Sequence, residues 1–192
     1  MKKVLIINGH PDADSFCSAL VKSYAKGCLA SGNEVVVLHL VELKFDLNLN
    51  GGFKSEQVLE NDLKLAQQQI LWAQHIVIVH PVWWGSVPAL LKGFFDRVLL
   101  PGFAFKYHKN DPMWDKLLKG RSGHVIYTTD TPPLFYKFIF LSPSVNMVKK
   151  RVLQFCGISP VKVTGIGPIR TTDLAFREKW LQKIQIEGEA VA

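Results

Sequence analysis

The chain has 192 residues, of which 48% are hydrophobic and 20% charged. This composition is that of a folded globular protein, it excludes a disordered or low-complexity chain, and the length predicts a single domain over residues 1–192. The formal net charge is +7, and the excess lies in residues 105–192, with 14 Lys and Arg against 7 Asp and Glu. A basic half can attract dinucleotide phosphates, nucleic acid or an anionic membrane, or it can be plain solvated surface. Because no helix-turn-helix, zinc or RNA-recognition signature accompanies the charge, no nucleic-acid partner is predicted.

The cysteines indicate a reducing, cytoplasmic environment. Cys17, Cys28 and Cys156 are odd in number and lack metal-ligand spacing, so neither a disulfide framework nor a metal site is predicted. The apolar run near the N-terminus is too short for a signal peptide. The longest stretch without a charged side chain, residues 65–91, contains glutamines, histidines, Pro81 and Gly85, which argues against a transmembrane helix.

In chain order, short apolar runs alternate with helical patterns. Strands are predicted at residues 3–8, 34–40, 75–80, 123–129 and 161–166. Helices are predicted after an N-cap at Ser15, from about Ser55 to Trp72, over 88–98, over 145–155, and from Thr172 or Asp173 to about 186. Segments 43–54 and 100–120 read as irregular. This alternation predicts an α/β fold with a doubly wound, five-stranded parallel sheet and helices on both faces.

Ligands of such sheets bind at the carboxyl ends of the strands, so the loops after the first, third and fourth strands are the candidate sites. The first loop runs from Gly9 to a helix N-terminus that favours an anion, and His10 and Ser15 add polar groups. It contains neither the G-x-G-x-x-G fingerprint nor a P-loop. An ordinary capped helix would give the same pattern.

The third loop carries two adjacent tryptophans, Trp83 and Trp84, between Pro81 and Pro88. Exposed tryptophans are costly, so the pair favours a planar aromatic ligand that covers them. The alternative is that both tryptophans pack in the core or at an interface. The fourth loop begins with Thr128 and Thr129, whose hydroxyls could face a ligand but are also common in turns.

These loops together resemble the NAD(P)H:quinone oxidoreductase family of flavodoxin-like flavoproteins. The resemblance is carried by His10-Pro11 with Ser15-Phe16, by the segment from Pro81 to Gly93, and by Thr128-Thr129. It implies a bound flavin, FAD with FMN as the alternative, that takes hydride from NADH or NADPH and passes it to a quinone-like acceptor in a ping-pong cycle.

The resemblance also implies roles for individual residues. Phosphate and ribityl contacts fall on His10, Ser15, Phe16 and Cys17, and flavin-ring contacts on Pro81, Val82, Trp83, Trp84, Gly85, Thr128 and Thr129. Family members are homodimers, and Phe105 and Tyr107 resemble a segment that reaches across to line the partner's acceptor pocket, which Trp84 also borders. Tyr136 falls where the family can carry a catalytic tyrosine, and a core position is the equal alternative.

Two features depart from the family pattern: residues 130–133, and Ser142, which stands at the spacing where the family carries a downstream histidine. Asp130 and Thr131, followed by Pro132-Pro133, stand where glycines are frequent, which puts the acceptor in question. The apolar stretch from Leu134 to Leu141 is expected to pack in the core or at a dimer interface, with a quinone groove or membrane contact as alternatives. The stretch and the basic half also motivate a second hypothesis, a flavin-binding ancillary subunit of a membrane transport protein.

Overall fold

The computed structural model describes residues 1–54 and 57–191. Its strands are β1 Lys3–Asn8, β2 Glu34–His39, β3 His75–Pro81, β4 Phe105–Tyr107, β5 Trp114–Lys116, β6 Ser122–Thr128 and β7 Val161–Ile166. Its helices are α1 Phe16–Ala30, α2 Asn61–Trp72, α3 Ala89–Val98, α4 Pro133–Phe138, α5 over residues 143–156 and α6 Leu174–Glu189. Short 3₁₀ turns occupy Leu40–Glu42 and Gly52–Lys54. The predicted helix start at Ser55 lies outside the described residues.

Within the described residues, five parallel strands form one sheet in the order β2-β1-β3-β6-β7. The register places Lys3 opposite Glu34 and Val4 opposite His75, so β1 lies between β2 and β3. The chain therefore leaves β1 in one direction and returns past it in the other. This reversal is the topological switch point where doubly wound sheets bind ligands. The predicted fold class is confirmed.

Side-chain alternation along β1 divides the core between the two faces of the sheet. Leu5 and Ile7 pack with the buried side of α2, α3 and α5, whereas Val4 and Ile6 pack with α1 and α6. Every residue of β3 is buried, as its continuous apolar run predicts for a central parallel strand. The helices on both faces hold the carboxyl edge of the sheet, and with it the loops after β1, β3 and β6, in a fixed arrangement.

Two local predictions were wrong. The segment 100–120, expected to be irregular, contains the antiparallel pair β4–β5, in which Phe105 lies opposite Lys116. Core packing of the stretch from Leu134 to Leu141 is also wrong, because Tyr136 is its one buried hydrophobic residue. None of the helices found in the described ranges is long and apolar enough to cross a membrane.

Candidate functional site

The three predicted loops converge on one cleft at the carboxyl edge of the sheet. The cleft has a volume of about 420 Å³. Its lining residues are His10, Asp12, Asp14, Ser15, Phe16 and Cys17 from the first loop and α1, Pro81, Val82 and Trp83 from the third loop, Thr128, Thr129 and Asp130 from the fourth, and Ile169 and Arg177. Nine of the residues predicted from the sequence to contact a flavin therefore share one site. The remaining two, Trp84 and Gly85, border an adjoining cleft.

The N-terminus of α1 supplies backbone donors to this cleft. Ser15 is the N-cap, as predicted, and its hydroxyl accepts a hydrogen bond from the backbone N–H of Ser18 at 3.3 Å. The other N–H groups of the first turn, including those of Phe16 and Cys17, have no carbonyl four residues back inside the helix. Together with the helix dipole they favour an anion.

His10 is held as a neutral hydrogen-bond donor. Its Nδ1 accepts from the backbone N–H of Asp12 at 3.0 Å, which leaves the proton on Nε2. Burial lowers the pKa of His10, and the opposing effect of Asp12 is smaller. The ring stands edge-on to Trp83, with 5.6 Å between centroids. A neutral imidazole in this position can donate to a ligand oxygen without carrying a charge.

Cys17 lies in the cleft but is not a nucleophile. Its Sγ is 3.4 Å from Thr128 Oγ1, and burial raises the pKa of the thiol to about 12. The thiolate is the reactive form of cysteine, and it is absent at neutral pH with such a pKa. Cys17 and Thr128 therefore serve as packed walls, and Cys17 contributes its backbone N–H.

The third loop is a tight turn closed by two backbone hydrogen bonds. The N–H of Trp83 donates to the carbonyl of Ser86 at 3.0 Å, and the N–H of Ser86 donates back at 2.8 Å. Trp84 and Gly85 both have positive φ, 51° and 71°, which is the geometry of a type I′ turn. Glycine adopts this conformation readily, whereas a bulky residue does so at a cost. Trp84 is fully exposed, so no packing contact of the chain explains why the strain is retained.

An adjoining cleft of about 330 Å³ has mainly aromatic and apolar walls. It shares Val82, Thr129 and Asp130 with the first cleft and adds Trp84, Gly85, Thr131, Tyr136, Phe140 and Pro143. A planar apolar molecule in this cleft would lie directly beside a molecule in the first.

Tyr136 is 2% exposed, and its phenol oxygen is already engaged. It accepts from the backbone N–H of Ser144 at 3.1 Å, lies 2.8 Å from Ser144 Oγ, and is 3.4 Å from the carbonyl oxygen of Gly85. The ring packs with Tyr127 and Val145. The residue is thus a core position that also forms a wall of the second cleft.

In the fourth loop, Asp130 and Thr131 stand where the family often has glycines, and the backbone there accommodates them without strain. Within the described ranges, the non-glycine residues with positive φ are Trp84, Leu141 and Ser142, so Asp130 and Thr131 stay outside the left-handed region. Asp130 Oδ1 accepts from the backbone N–H of Arg170 at 2.8 Å. This bond fixes a carboxylate at the junction of the two clefts.

The sequence analysis missed Arg177 and Ile169. Arg177 lies in the first turns of α6, and its guanidinium sits 5.6 Å from the centre of the Phe16 ring. Its Nε is buried and has no hydrogen-bond partner in the part of the chain the structure describes. Helices that follow parallel strands begin at the carboxyl edge of the sheet, so the position of Arg177 in the first turns of the last helix was the signal available for it.

Phe105 and Tyr107 do not line either cleft of their own chain. Phe105 is buried against Phe155, with 5.2 Å between ring centroids, whereas Tyr107 is 60% exposed. Of the two, Tyr107 is the one whose side chain is available to a second copy.

Fold and site together define a class: a doubly wound parallel α/β protein with an anion-accepting crevice beside an aromatic wall at the switch point. The chain belongs to the Flavodoxin_2 family, described as having a flavodoxin-like fold, whose model matches residues 2–185.

Two curated relatives extend this assignment. An uncharacterized NAD(P)H oxidoreductase of Haemophilus influenzae is 29% identical over 188 residues, which cover 93% of this chain and 90% of that protein. NAD(P)H dehydrogenase [quinone] 1 of Cavia porcellus is 27% identical, and the alignment covers 96% of this chain and 78% of that protein. These names agree with the family resemblance drawn from the loops and give no support to the ancillary-subunit alternative.

Two solved structures share the fold. Smu.1420 from Streptococcus mutans is 29% identical with a TM-score of 0.84, and the alignment covers 98% of this chain and 99% of that one. An FMN-dependent NADH-azoreductase from Bacillus anthracis, solved in complex with FMN, has a TM-score of 0.76 at 19% identity, with both chains fully covered. At that identity the second likeness establishes the fold alone.

Proposed function

We propose that this protein is a flavin-dependent oxidoreductase that passes hydride from NADH or NADPH to a quinone-like acceptor in a ping-pong cycle. The observation that carries the proposal is the single cleft built from the loops after β1, β3 and β6, with the acceptor-sized cleft next to it. The relatives' names, which include NAD(P)H oxidoreductase and NAD(P)H dehydrogenase [quinone], agree with this chemistry.

The residues of the first cleft fit the phosphate end of a flavin nucleotide. Arg177 presents a buried guanidinium nitrogen without a partner, which an anionic oxygen would satisfy. His10 offers an N–H donor, and the start of α1 offers backbone N–H groups. The ring system would lie along Pro81, Val82, Trp83 and the two threonines. When bound, the flavin supplies the hydride-accepting and hydride-donating chemistry, and the protein supplies position and electrostatics.

Of the two flavins, we propose FMN as the cofactor, with FAD as the alternative. FAD, implied by the family resemblance, would need an adenine site near α1 and segment 43–54. That segment does not line the cleft, since Leu47 packs against Gly93 of α3. The azoreductase neighbour with bound FMN agrees with this order. Between the nicotinamides, the cations of residues 105–192 favour the additional phosphate of NADPH.

The remaining parts of the proposal concern the setting of the enzyme. We expect a homodimer in which Tyr107 reaches the partner's acceptor cleft, because this side chain is exposed and lines neither cleft of its own chain. The cytoplasm is the proposed location, since all three cysteines are free and buried. Size-exclusion chromatography with light scattering tests the dimer.

Tyr136 is proposed as a positioning residue, because its phenol oxygen is occupied by Ser144 and faces Gly85. Tyr136→Phe should raise the KM for the acceptor about threefold to tenfold by loosening the Trp83–Ser86 turn, as expected for the loss of one hydrogen bond. Reduction of the bound flavin by NADPH and the pH profile of kcat should stay unchanged. A shifted or missing limb of the pH profile would instead indicate that Tyr136 transfers a proton.

The central experiment is an absorption spectrum of the purified protein, followed by release and chromatography of any chromophore. We expect a flavin spectrum, either as purified or after incubation with FMN, that bleaches when NADPH is added without oxygen and recovers when menadione, a neutral quinone, is added. A well-folded protein that takes up neither FMN nor FAD would contradict the proposal. A flavoprotein that NADPH and NADH both fail to reduce would contradict its nicotinamide part.

A further inference from the structure

An exposed apolar surface lies beside the acceptor cleft. We define the apolar rim as Leu134, Phe135, Phe138, Ile139, Phe140 and Leu141, each between 50% and 71% exposed. Single exposed apolar residues are ordinary, but six within eight positions form a continuous patch of the kind that marks an interaction surface. The proposed chemistry uses Phe140 alone of these six.

The backbone holds the rim outward. Leu141 and Ser142 have positive φ, 56° and 48°, a conformation that costs free energy in residues other than glycine. Two hydrogen bonds keep it in place: the N–H of Ser142 donates to the carbonyl of Tyr136 at 3.1 Å, and Asn146 Nδ2 donates to the carbonyl of Leu141. The apolar side chains are therefore displayed by α4 and by the fixed turn that follows it.

The chain segment that contains the rim is rich in basic residues, of which Lys162 is paired with Glu187. Between Asp130 and Asp173 the sequence has no acidic residue, whereas it has six basic ones, namely Lys137, Lys149, Lys150, Arg151, Lys162 and Arg170. Three of these lysines, Lys137, Lys149 and Lys150, line a groove of about 560 Å³ whose other walls include Leu134 and Leu141 of the rim. We refer to this feature as the basic groove.

The charge distinguishes between two occupants of such a surface. A symmetric contact with a second copy places the same patch on both sides, so that the lysines of each basic groove would face like charges. An anionic bilayer instead offers acyl chains to the rim and negative headgroups to the lysines, whose long aliphatic stems let the ammonium groups stay at headgroup level. The bilayer satisfies both features at once.

We propose that the apolar rim and the basic groove form a docking surface for an anionic lipid bilayer. The rim inserts among the headgroups and upper acyl chains, and the basic groove binds an anionic headgroup. Because Phe140 belongs to the rim and also lines the second cleft, docking brings the acceptor cleft against the lipid. This last consequence, access to a lipid-dissolved acceptor, rests on the proposed function, whereas the docking does not.

Vesicle flotation of the full-length protein tests the proposal. Vesicles of phosphatidylcholine alone are compared with vesicles that also contain phosphatidylglycerol, with protein in the same flavin-loaded state. We expect flotation with the anionic vesicles, little with the neutral ones, and release at high salt, since screening shortens the reach of the lysine charges.

Two variants and two matched controls separate the parts of the surface. Phe138→Ser with Ile139→Ser removes rim contacts, and Lys149→Gln with Lys150→Gln removes groove charge. Each double variant should lower the partition coefficient for anionic vesicles by roughly tenfold or more. The control for the rim variant is Leu65→Ser with Leu71→Ser on α2, and the control for the groove variant is Lys22→Gln with Lys26→Gln on α1. All four positions are exposed, and both controls should leave binding unchanged.

The rate at which the rim variant reduces menadione in solution should equal that of the wild type. Failure of the proposed enzymatic function can therefore be distinguished from failure of the docking proposal. Absence of flotation with anionic vesicles would overturn the docking proposal, as would equal flotation of wild type and both surface variants. A rim-dependent dimer in sedimentation experiments, without vesicle binding, would assign the surface to a second copy.

Discussion

Asp130 places a carboxylate where the two clefts meet, and among the described residues it is the one charged side chain that lines the second cleft. Its hydrogen bond from the N–H of Arg170 keeps it there. A fixed negative charge in an apolar cleft disfavours an anionic ligand and tolerates a neutral one. We therefore infer that Asp130 selects acceptors by charge.

The selection of acceptors by charge can be tested by removing the Asp130 carboxylate. Asp130→Asn should raise kcat/KM for a sulfonated quinone about fivefold relative to menadione, since one charge at several ångströms is worth about 1 kcal/mol in a partly solvated site. Steady-state rates with both acceptors measure the ratio. The control Glu34→Gln, which removes an equal charge at the exposed first residue of β2, should not change this ratio. An unchanged ratio in the Asp130 variant would mean that the acceptor binds away from the carboxylate.

Arg177 is the second residue whose role can be tested alone. Arg177→Gln should weaken flavin binding by roughly tenfold to a hundredfold, because a hydrogen bond to a charged group contributes about 1.5–3 kcal/mol. Titration of the flavin-free protein, followed by quenching of flavin fluorescence, gives the dissociation constant. Lys179→Gln removes an exposed charge two positions along the same helix and should leave the constant near that of the wild type. Equal constants for both variants would place the phosphate elsewhere.

At the scale of elements, the contact between α1 and α6 depends on two glycines. A methyl group on Gly27 would collide with the carbonyl oxygen of Gln185, and one on Gly188 would collide with the carbonyl oxygen of Tyr24. Both obstacles are backbone atoms, which cannot move aside as a flexible side chain would. The close approach of the two helices also holds Arg177, at the start of α6, beside Phe16 of α1.

Gly188→Ala should therefore lower the free energy of unfolding by about 1–3 kcal/mol, even though alanine is the better helix former. Urea unfolding followed by far-ultraviolet circular dichroism provides the measurement. Lys26→Ala, an exposed change on α1, should alter stability by less than about 0.5 kcal/mol. If Gly188→Ala is as stable as this control, the two helices can separate without loss of packing.

Helices and strands could be predicted where a sequence pattern is compatible with only one type of secondary structure. The strand at 75–80 has an unbroken apolar run between its two histidines, and Ser15 precedes a helical pattern, so both were assigned correctly. The pair β4–β5 was not, because three-residue strands leave no periodicity to detect. The apolar stretch from Leu134 to Leu141 was expected in the core or at a dimer interface, because sequence alone does not show that five of its apolar residues besides Leu141 are exposed while Tyr136 is buried.

The site was predictable to the extent that it lies in loops at strand ends. Topology alone brings the loops after β1, β3 and β6 to one edge, so three short motifs sufficed to assemble most of the cleft. Arg177 escaped because it is one of 14 basic residues in its half of the chain and no local pattern separates it from the others. Its role depends on how α6 packs on α1, which is a tertiary property.

At the scale of the whole molecule, a chain of hydrogen bonds between buried polar side chains links the strands to α1 and α6, away from the clefts. His75 lies between Ser122 and Tyr24, Tyr24 also contacts His124, and His124 contacts Thr164. Thr164 donates to Glu187 of α6 at 2.9 Å. With both imidazoles neutral, every contact has one donor and one acceptor, and the chain ends on the Glu187 carboxylate. Protonation of His75 or His124 would turn its Nδ1 from an acceptor into a donor, so that the hydroxyl of Ser122 or Tyr24 would have to accept there and its own O–H would lose this acceptor.

The stability of the fold should therefore depend on pH through its buried histidines. Burial is the largest cause that lowers the pKa of His75 and His80 to about 4 and that of His124 to about 3. In the unfolded chain the value is about 6.5, so between these limits the unfolded state binds more protons and stability falls as the pH falls. Each histidine contributes a slope of up to about 1.4 kcal/mol per pH unit below about 6.5, and the three together up to about 4.

Urea midpoints at pH 7 and pH 5.5 test this dependence, and we expect a lower midpoint at pH 5.5. His80→Gln should reduce the loss by about a third, since one of three titrating groups is removed. The matched control is His108→Gln, at an exposed histidine whose pKa is raised by hydrogen bonds from its ring to Asp111 and Asp115. Because a raised pKa favours folding as the pH falls, this control should leave the loss as large as in the wild type or slightly increase it. Equal midpoints at the two pH values would show that the buried imidazoles accept protons without disturbing the chain that joins the strands to α6.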